Sequence, residues 1–183
     1  MFNLKKGGIL ISDPSLEDPT FFKSVVLITY LSSNESIGLV LNQPTNIYLH
    51  EILNDIPLNN FPIHIGGPVE KNSIHFIHKL GKNIPNTKQV SQDLYWGGDF
   101  NKVLELMSKN KISKDQIRFF AGYSGWSEDQ LKNEIRENSW IIHQSNTNLC
   151  MQYSNETLWS KLIKTKKNKY AIWANIPKDP SLN

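Results

Sequence analysis

Five histidines and a single cysteine bound the coordination and nucleophilic chemistry open to this chain of 183 residues. Cys150 has no second thiol to pair with, which excludes an intramolecular disulfide and a cysteine-based zinc site. His75 and His78 are three apart, a metal-ligand spacing on a helix. The segment Ile74-His75-Phe76-Ile77-His78 reads instead as a strand, where an odd separation sends the two rings to opposite faces. His50, His64 and His143 have no carboxylate or cysteine pattern around them, so they read as hydrogen-bonded histidines of the surface or the core edge. Neither a bound metal nor a cofactor is expected.

Gly122-x-Ser124 matches half of a nucleophile elbow. That motif needs a second glycine two residues after the serine, where Trp126 stands, and its helix begins beside the serine rather than after Ser127. Glu134 and Glu137 sit among Lys132 and Arg136 and read as a solvated helix face with ion pairs rather than an acid/base pair. No GxxxxGK[ST] phosphate loop and no GxGxxG fingerprint occurs. No catalytic residue is therefore assigned. Lys161, Lys164, Lys166, Lys167 and Lys169 could meet a phosphate backbone, with Trp159 and Tyr170 as stacking platforms. A net charge of +3 is small for a dedicated nucleic-acid binder, so a solvated basic helix end with weak, salt-sensitive nucleic-acid binding is expected.

Four turn motifs carry the remaining chemistry: Asp18-Pro19-Thr20-Phe21, Asn42-Gln43-Pro44-Thr45, Gly66-Gly67-Pro68-Val69 and Gly122-Tyr123-Ser124-Gly125-Trp126. Each places rigid Pro or Gly backbone beside a strand and adds a polar or aromatic group. The expectation is that they gather at one surface. Tyr123 and Trp126 would supply contact area there, and Asp18 and Asn42 would orient a partner through hydrogen bonds. The helix start at Ser127 offers N–H groups to an anion, but Glu128 and Asp129 already occupy its first turn.

These motifs must be held by a scaffold. Residues 8–12, 24–31 and 37–42 are rich in Val, Ile and Leu and read as strands, the last two as a hairpin across the polar turn 32–36. Residues 43–46 read as a loop and 47–53 as a helix capped by Thr45 or Asn46. Residues 63–65 and 74–78 read as short strands, and Asp99 caps a helix to about Asn110. Residues 117–121 form a strand, Ser127 and Gln130 make a capping box, 140–143 form a strand, and Asn155 caps a last helix to about Lys164. Residues 170–176 follow, then a frayed tail at 177–183. Irregularly mixed elements favour an α+β fold, and the length suits a single domain over residues 1–183. No apolar run reaches the roughly 20 residues of a membrane span, and the start lacks a signal-peptide core, so a cytoplasmic protein with no membrane association is expected.

Together the motifs resemble the AlgH/YqgE family of bacterial proteins. Its opening G-x-L-(L/I)-x-x-P-x-L-x-D-P-x-F is matched from Gly8 to Phe21, followed by Ser24-Val25-Val26. G-L-V-x-N-x-P-T is matched from Gly38 to Thr45, and G-G-P-V at Gly66-Gly67-Pro68-Val69, with a later histidine matched by His78. The last block is matched by Gly122, Tyr123, Gly125, Trp126, Gln130, Leu131, Glu134, Asn138 and Trp140. The chain departs from the family at Thr29-Tyr30-Leu31, Lys23, Gln43 and near Ser73, where a cysteine-containing stretch or arginines are common. The resemblance implies an α+β domain with a branched mixed sheet, partly closed into a small barrel and surrounded by helices. It also brings the label of a transcriptional regulator, which implies no helix-turn-helix. No catalytic residue comes with it.

The reading is a non-enzymatic regulatory or ligand-binding protein whose partner is an unknown protein or small molecule. The alternatives are an enzyme acting on a small polar or phosphorylated molecule, or a weak nucleic-acid binder through the C-terminal lysines. The candidate binding residues are Asp18, Phe21, Asn42, Thr45, Gly66, Gly67, His78, Tyr123, Ser124 and Trp126.

Overall fold

The computed structural model describes residues 4–53, 56, 61–144, 146–152 and 157–166. The expected Asn155 cap, the stretch 170–176 and the tail 177–183 lie outside these residues. In chain order the strands are β1 Ile9–Ser12, β2 Val25–Leu31, β3 Glu35–Val40, β4 Pro44–Tyr48, β5 Pro62–Ile65, β6 Val69–His78, β7 Lys88–Ser91, β8 Leu94–Trp96, β9 Ile117–Ser127 and β10 Trp140–His143. The helices are α1 Leu49–Ile52, α2 Phe100–Ser108, α3 Glu128–Arg136, α4 Thr147–Met151 and α5 Thr157–Lys164. No helix among the described residues is long and apolar enough to cross a membrane.

The apolar runs of β1 and β2 are continuous because both faces are covered. Ile9, Ile11, Val25 and Leu27 pack with Met151 of α4 and with Trp159 and Ile163 of α5. Leu10, Val26 and Ile28 point the other way, onto Trp126, Trp140 and Leu131 of α3. A further cluster forms under α2, where Val103 and Met107 meet Phe76, Phe119 and Ile63. Caps fix two helices as expected. The Asp99 carboxylate accepts from the N–H groups of Asn101 and Lys102, and the Ser127 hydroxyl accepts from the N–H of Gln130. The Gln130 side chain turns to Glu134, 2.9 Å away, so that box is not reciprocal.

β9 organises the sheet. Its first half pairs antiparallel with β6 and parallel with β5, and its second half pairs with β3. The strand order β10-β1-β2-β3-β9-β6-β8-β7, with β5 and β4 as a side arm, is branched and mixed. The expected barrel closure is absent, since β10 and β7 stand at opposite ends of that order. Residues 4–8 add no strand between them. Gly8 N–H donates to Lys5 C=O, folding this stretch into a turn with Gly7 at φ 82°.

Other expectations are corrected as well. Of the loop expected at 43–46 only Gln43 remains outside a strand: β4 begins at Pro44, which is tolerated because β4 pairs on one side only, with β5. The helix expected at 47–53 shrinks to Leu49–Ile52 behind Tyr48, because Ile47 and Tyr48 belong to β4. The β7–β8 hairpin and α4 were not expected. The stretch Gly122–Trp126 is no turn at a strand end but the interior of β9.

Candidate functional site

The four motif segments do meet, through inward contacts. Asp18 makes a local turn, its carboxylate accepting from Thr20 N–H at 2.7 Å and its carbonyl from Phe22 N–H at 2.8 Å. That turn swings Phe21 onto Trp126 and Trp140, with ring centroids 5.7 and 5.3 Å away. Asn42 is fully buried and latches the two segments: Oδ1 accepts from Val25 N–H and Nδ2 donates to Lys23 C=O, each at 2.8 Å. Gln43 Nε2 donates to Thr20 C=O, and Thr45 Oγ1 to Ile63 C=O at 2.6 Å. Gly66 and Gly67 press backbone against backbone on β9. A Cβ at Gly66 would lie 2.2 Å from Gly122 O, and one at Gly67 would lie 2.3 Å from Tyr123 O. Ser124 Oγ donates to Gly66 C=O at 3.2 Å.

Tyr123 and Trp126 are three apart on one strand and leave opposite faces of it. Trp126 is 3% exposed, and Tyr123 is half-buried against His75, at 5.3 Å between rings. Glu134, expected on a solvated face, instead accepts both indole protons through Oε2, from Trp126 at 2.9 Å and Trp140 at 2.7 Å. His78 is buried and spent on structure. Its Nδ1 accepts from Leu80 N–H, which puts the ring proton on Nε2, facing Gly97 C=O and the Thr87 hydroxyl. Burial lowers its pKa, partly offset by the Gly97 carbonyl.

An open feature lies where sequence reasoning did not look. A hollow of about 310 Å³ is walled by His75, Asn86, Lys88, Trp96, Gly97 and Phe100, together with Ile74, Phe76 and Gly98. It depends on the β7–β8 hairpin. The aromatic pair Tyr95-Trp96 before Gly97-Gly98 was the available signal for that hairpin. His75 and Trp96 stack at 6.2 Å with planes 20° apart. The Lys88 ammonium lies 5.2 Å from the Trp96 ring centroid and 5.6 Å from that of Tyr30. Among the described residues Lys88 makes no ion pair, and the indole nitrogen of Trp96 is buried without an acceptor.

His75 Nε2 lies 2.9 Å from Ser73 Oγ, which suggests a base beside a nucleophile. The polarity is wrong for that role. The Ser73 hydroxyl spends its one proton on Glu70 C=O at 2.7 Å, so the histidine must be the donor. Burial also lowers the His75 pKa, an effect that Glu70 partly offsets, and the ring is neutral at pH 7. No group of three or more His, Cys, Asp or Glu side chains among the described residues could hold a metal.

Two further polar residues are buried structural elements. Arg118 donates to Cys150 C=O at 2.7 Å and Leu41 C=O at 2.9 Å, tying α4 and the end of β3 to β9. Burial first, then Arg118, pulls the His64 pKa from 6.5 down to about 3. In the lysine-rich end, Trp159 is buried and donates to Ser12 C=O at 2.9 Å, so it is no platform for bases. Lys167, Lys169 and Tyr170 lie outside the described residues.

One branched sheet with helices against its faces defines an α+β domain of a recognisable kind. The chain belongs to the AlgH-like family, which it matches over residues 9–171. It is 37% identical over 180 residues to a UPF0301 protein of Parabacteroides distasonis, covering 97% of this chain and 91% of that one. A UPF0301 protein of Cytophaga hutchinsonii is 36% identical over 181 residues, covering 98% of this chain and all of the relative. Among solved structures, the solution structure of the AlgH protein from Pseudomonas aeruginosa superposes with a TM-score of 0.74 at 22% identity, covering 98% of this chain and 100% of that one. A crystal structure from Corynebacterium diphtheriae gives 0.75 at 17% identity, covering 96% and 95%. These likenesses establish the shared fold.

Proposed function

We propose that this chain is a non-enzymatic cytosolic protein with a regulatory, ligand-binding role, and that the hollow walled by β6, β8 and α2 binds a small planar anion. The observation that carries the reading is Lys88. It is the one formally charged residue of the hollow, it rests on aromatic rings, and it has no carboxylate partner among the described residues. The near-parallel His75 and Trp96 rings favour a flat ligand. About 310 Å³ is the small end of ligand sites, which suits one ring with its anionic group. Within this proposal Tyr123 supports His75 from the side. Asp18, Phe21, Asn42, Thr45, Gly66, Gly67, His78, Ser124 and Trp126 form the frame that holds β9 and β6 in place.

Tryptophan fluorescence and calorimetry against a panel of aromatic carboxylates and aryl phosphates test it. A binder is expected to lose about tenfold or more in affinity in Lys88→Ala, because a charge-assisted contact is removed. A panel without binders, binders indifferent to Lys88→Ala, or turnover of a bound compound would each overturn the reading.

A further inference from the structure

Among the described residues the two ends of the sheet approach each other without a strand pair between β7 and β10. The turn that carries Gly7 packs on β7, so that a Cβ on Gly7 would lie 3.0 Å from Val90 O. On its other side β1 pairs with β10. Between them is a seam of about 300 Å³, lined by Lys5, Lys6, Ser91, His143 and Gln144 together with Gly7, Gly8 and Ile142. None of these residues is acidic. Neither Lys5 nor Lys6 makes an ion pair among the described residues. Behind His143, outside the seam, Lys166 Nζ lies 3.1 Å from His143 Nδ1 and 3.4 Å from Ile142 O.

This contact settles the histidine. Lysine has only protons to give, so His143 Nδ1 accepts and the ring proton sits on Nε2, leaving one more donor at the seam. Burial lowers the Lys166 pKa, and burial followed by Lys166 lowers that of His143.

We infer that this seam is an oxyanion site for a phosphate monoester or inorganic phosphate, held by Lys5 and Lys6 with the His143 Nε2–H, Ser91 and Gln144 as neutral donors. Two adjacent lysines beside neutral donors in one small space suit a compact dianion. An extended phosphodiester chain would need a track of cations instead. The site is separate from the hollow at Lys88 and stands or falls independently of it.

The test is NMR of the full chain with labelled histidine, titrated with inorganic phosphate at fixed ionic strength. The expected result is a saturable shift of the His143 ring signals with a Kd of about 1 mM or tighter. Matched chloride should give none. The double variant Lys5→Ala/Lys6→Ala should weaken binding about tenfold or more. Both lysines are exposed, and Lys5→Gln/Lys6→Gln, checked by an unchanged amide spectrum, replaces the alanine pair if that pair fails to fold. No saturable shift, or binding unaltered in the double variant, overturns the site. A single-stranded DNA oligomer that shifts His143 where phosphate does not would overturn the monoester in favour of a phosphodiester partner.

Discussion

Two aromatic regions of this protein use the same residue types and end in opposite states. On the α3 side, Trp126, Trp140 and Phe21 close around Glu134, and one carboxylate oxygen satisfies both indole protons. On the β8 side, Trp96, His75 and Tyr30 surround Lys88, with the indole nitrogen unaccepted and the ammonium unpaired by any carboxylate among the described residues. The first arrangement is complete and holds the fold together. The second carries unspent donors and a cation beside an open hollow. Aromatic content therefore does not mark a site; the unmet polar demand beside it does.

The largest effect should separate these regions outright. Glu134→Leu leaves two enclosed indole donors without an acceptor and is expected to cost about 3–5 kcal/mol in urea unfolding. Trp96→Phe removes a donor that bonds to nothing and should cost about 1 kcal/mol or less. Equal costs would collapse the distinction.

The frame should also be acid-sensitive. His64 is held neutral, with its folded pKa near 3 against 6.5. Above pH 6.5 both folded and unfolded chains carry it neutral. Below that the unfolded chain takes up the proton and the folded chain does not, so stability falls as pH drops from about 6.5 towards 3. The slope is about 1.4 kcal/mol per pH unit at most, or about 2 kcal/mol at pH 5. Unfolding curves at pH 7 and 5 check this, and His64→Gln should reduce the dependence.

The smallest contrast concerns two glycines with nearly the same backbone angle. Gly122 has φ 67° and sits under Val69 O, where a Cβ would meet the oxygen at 2.7 Å. Gly97 has φ 64° beside the hollow, with nothing within 4 Å of such a Cβ. Alanine should cost about 1 kcal/mol at Gly97, for conformation alone, and about 2 kcal/mol or more at Gly122. Similar costs would mean that β9 and the β6 bend yield more easily than their packing implies.

The same contrast explains what the sequence could reveal. Runs such as Ile9-Leu10-Ile11 and Val25-Val26-Leu27-Ile28 read as strands because burial on both faces leaves an unbroken apolar signature. Asp99 and Ser127 read as caps because their bonds are local. β4 and β7 are short, polar edge strands, and Pro44-Thr45-Asn46 or Lys88-Gln89 carry no alternation to set against turn chemistry. The glycines of β9 look like a loop because their reason lies in Val69, Gly66 and Gly67, segments far away in the chain. Glu134 was misplaced for the same cause: helix spacing exposes its neighbours, while its two indole partners come from β9 and β10. The hollow stayed hidden because it exists only once β7 and β8 pair and lay Trp96 beside His75.

The pairing of β1 has a consequence for how the chain is made. Its last residue, Ser12, gives its carbonyl to Trp159, a partner 147 positions away, and its whole length lies against β10. At about 5–20 residues per second, synthesis needs roughly 7–30 seconds to bring those partners out. β1 and β2 can pair at once, being close in sequence, but β1 then presents Ile9, Leu10 and Ile11 along a bare edge for that interval. Until β10 and α5 emerge, that edge is where the nascent chain is most exposed to misassembly.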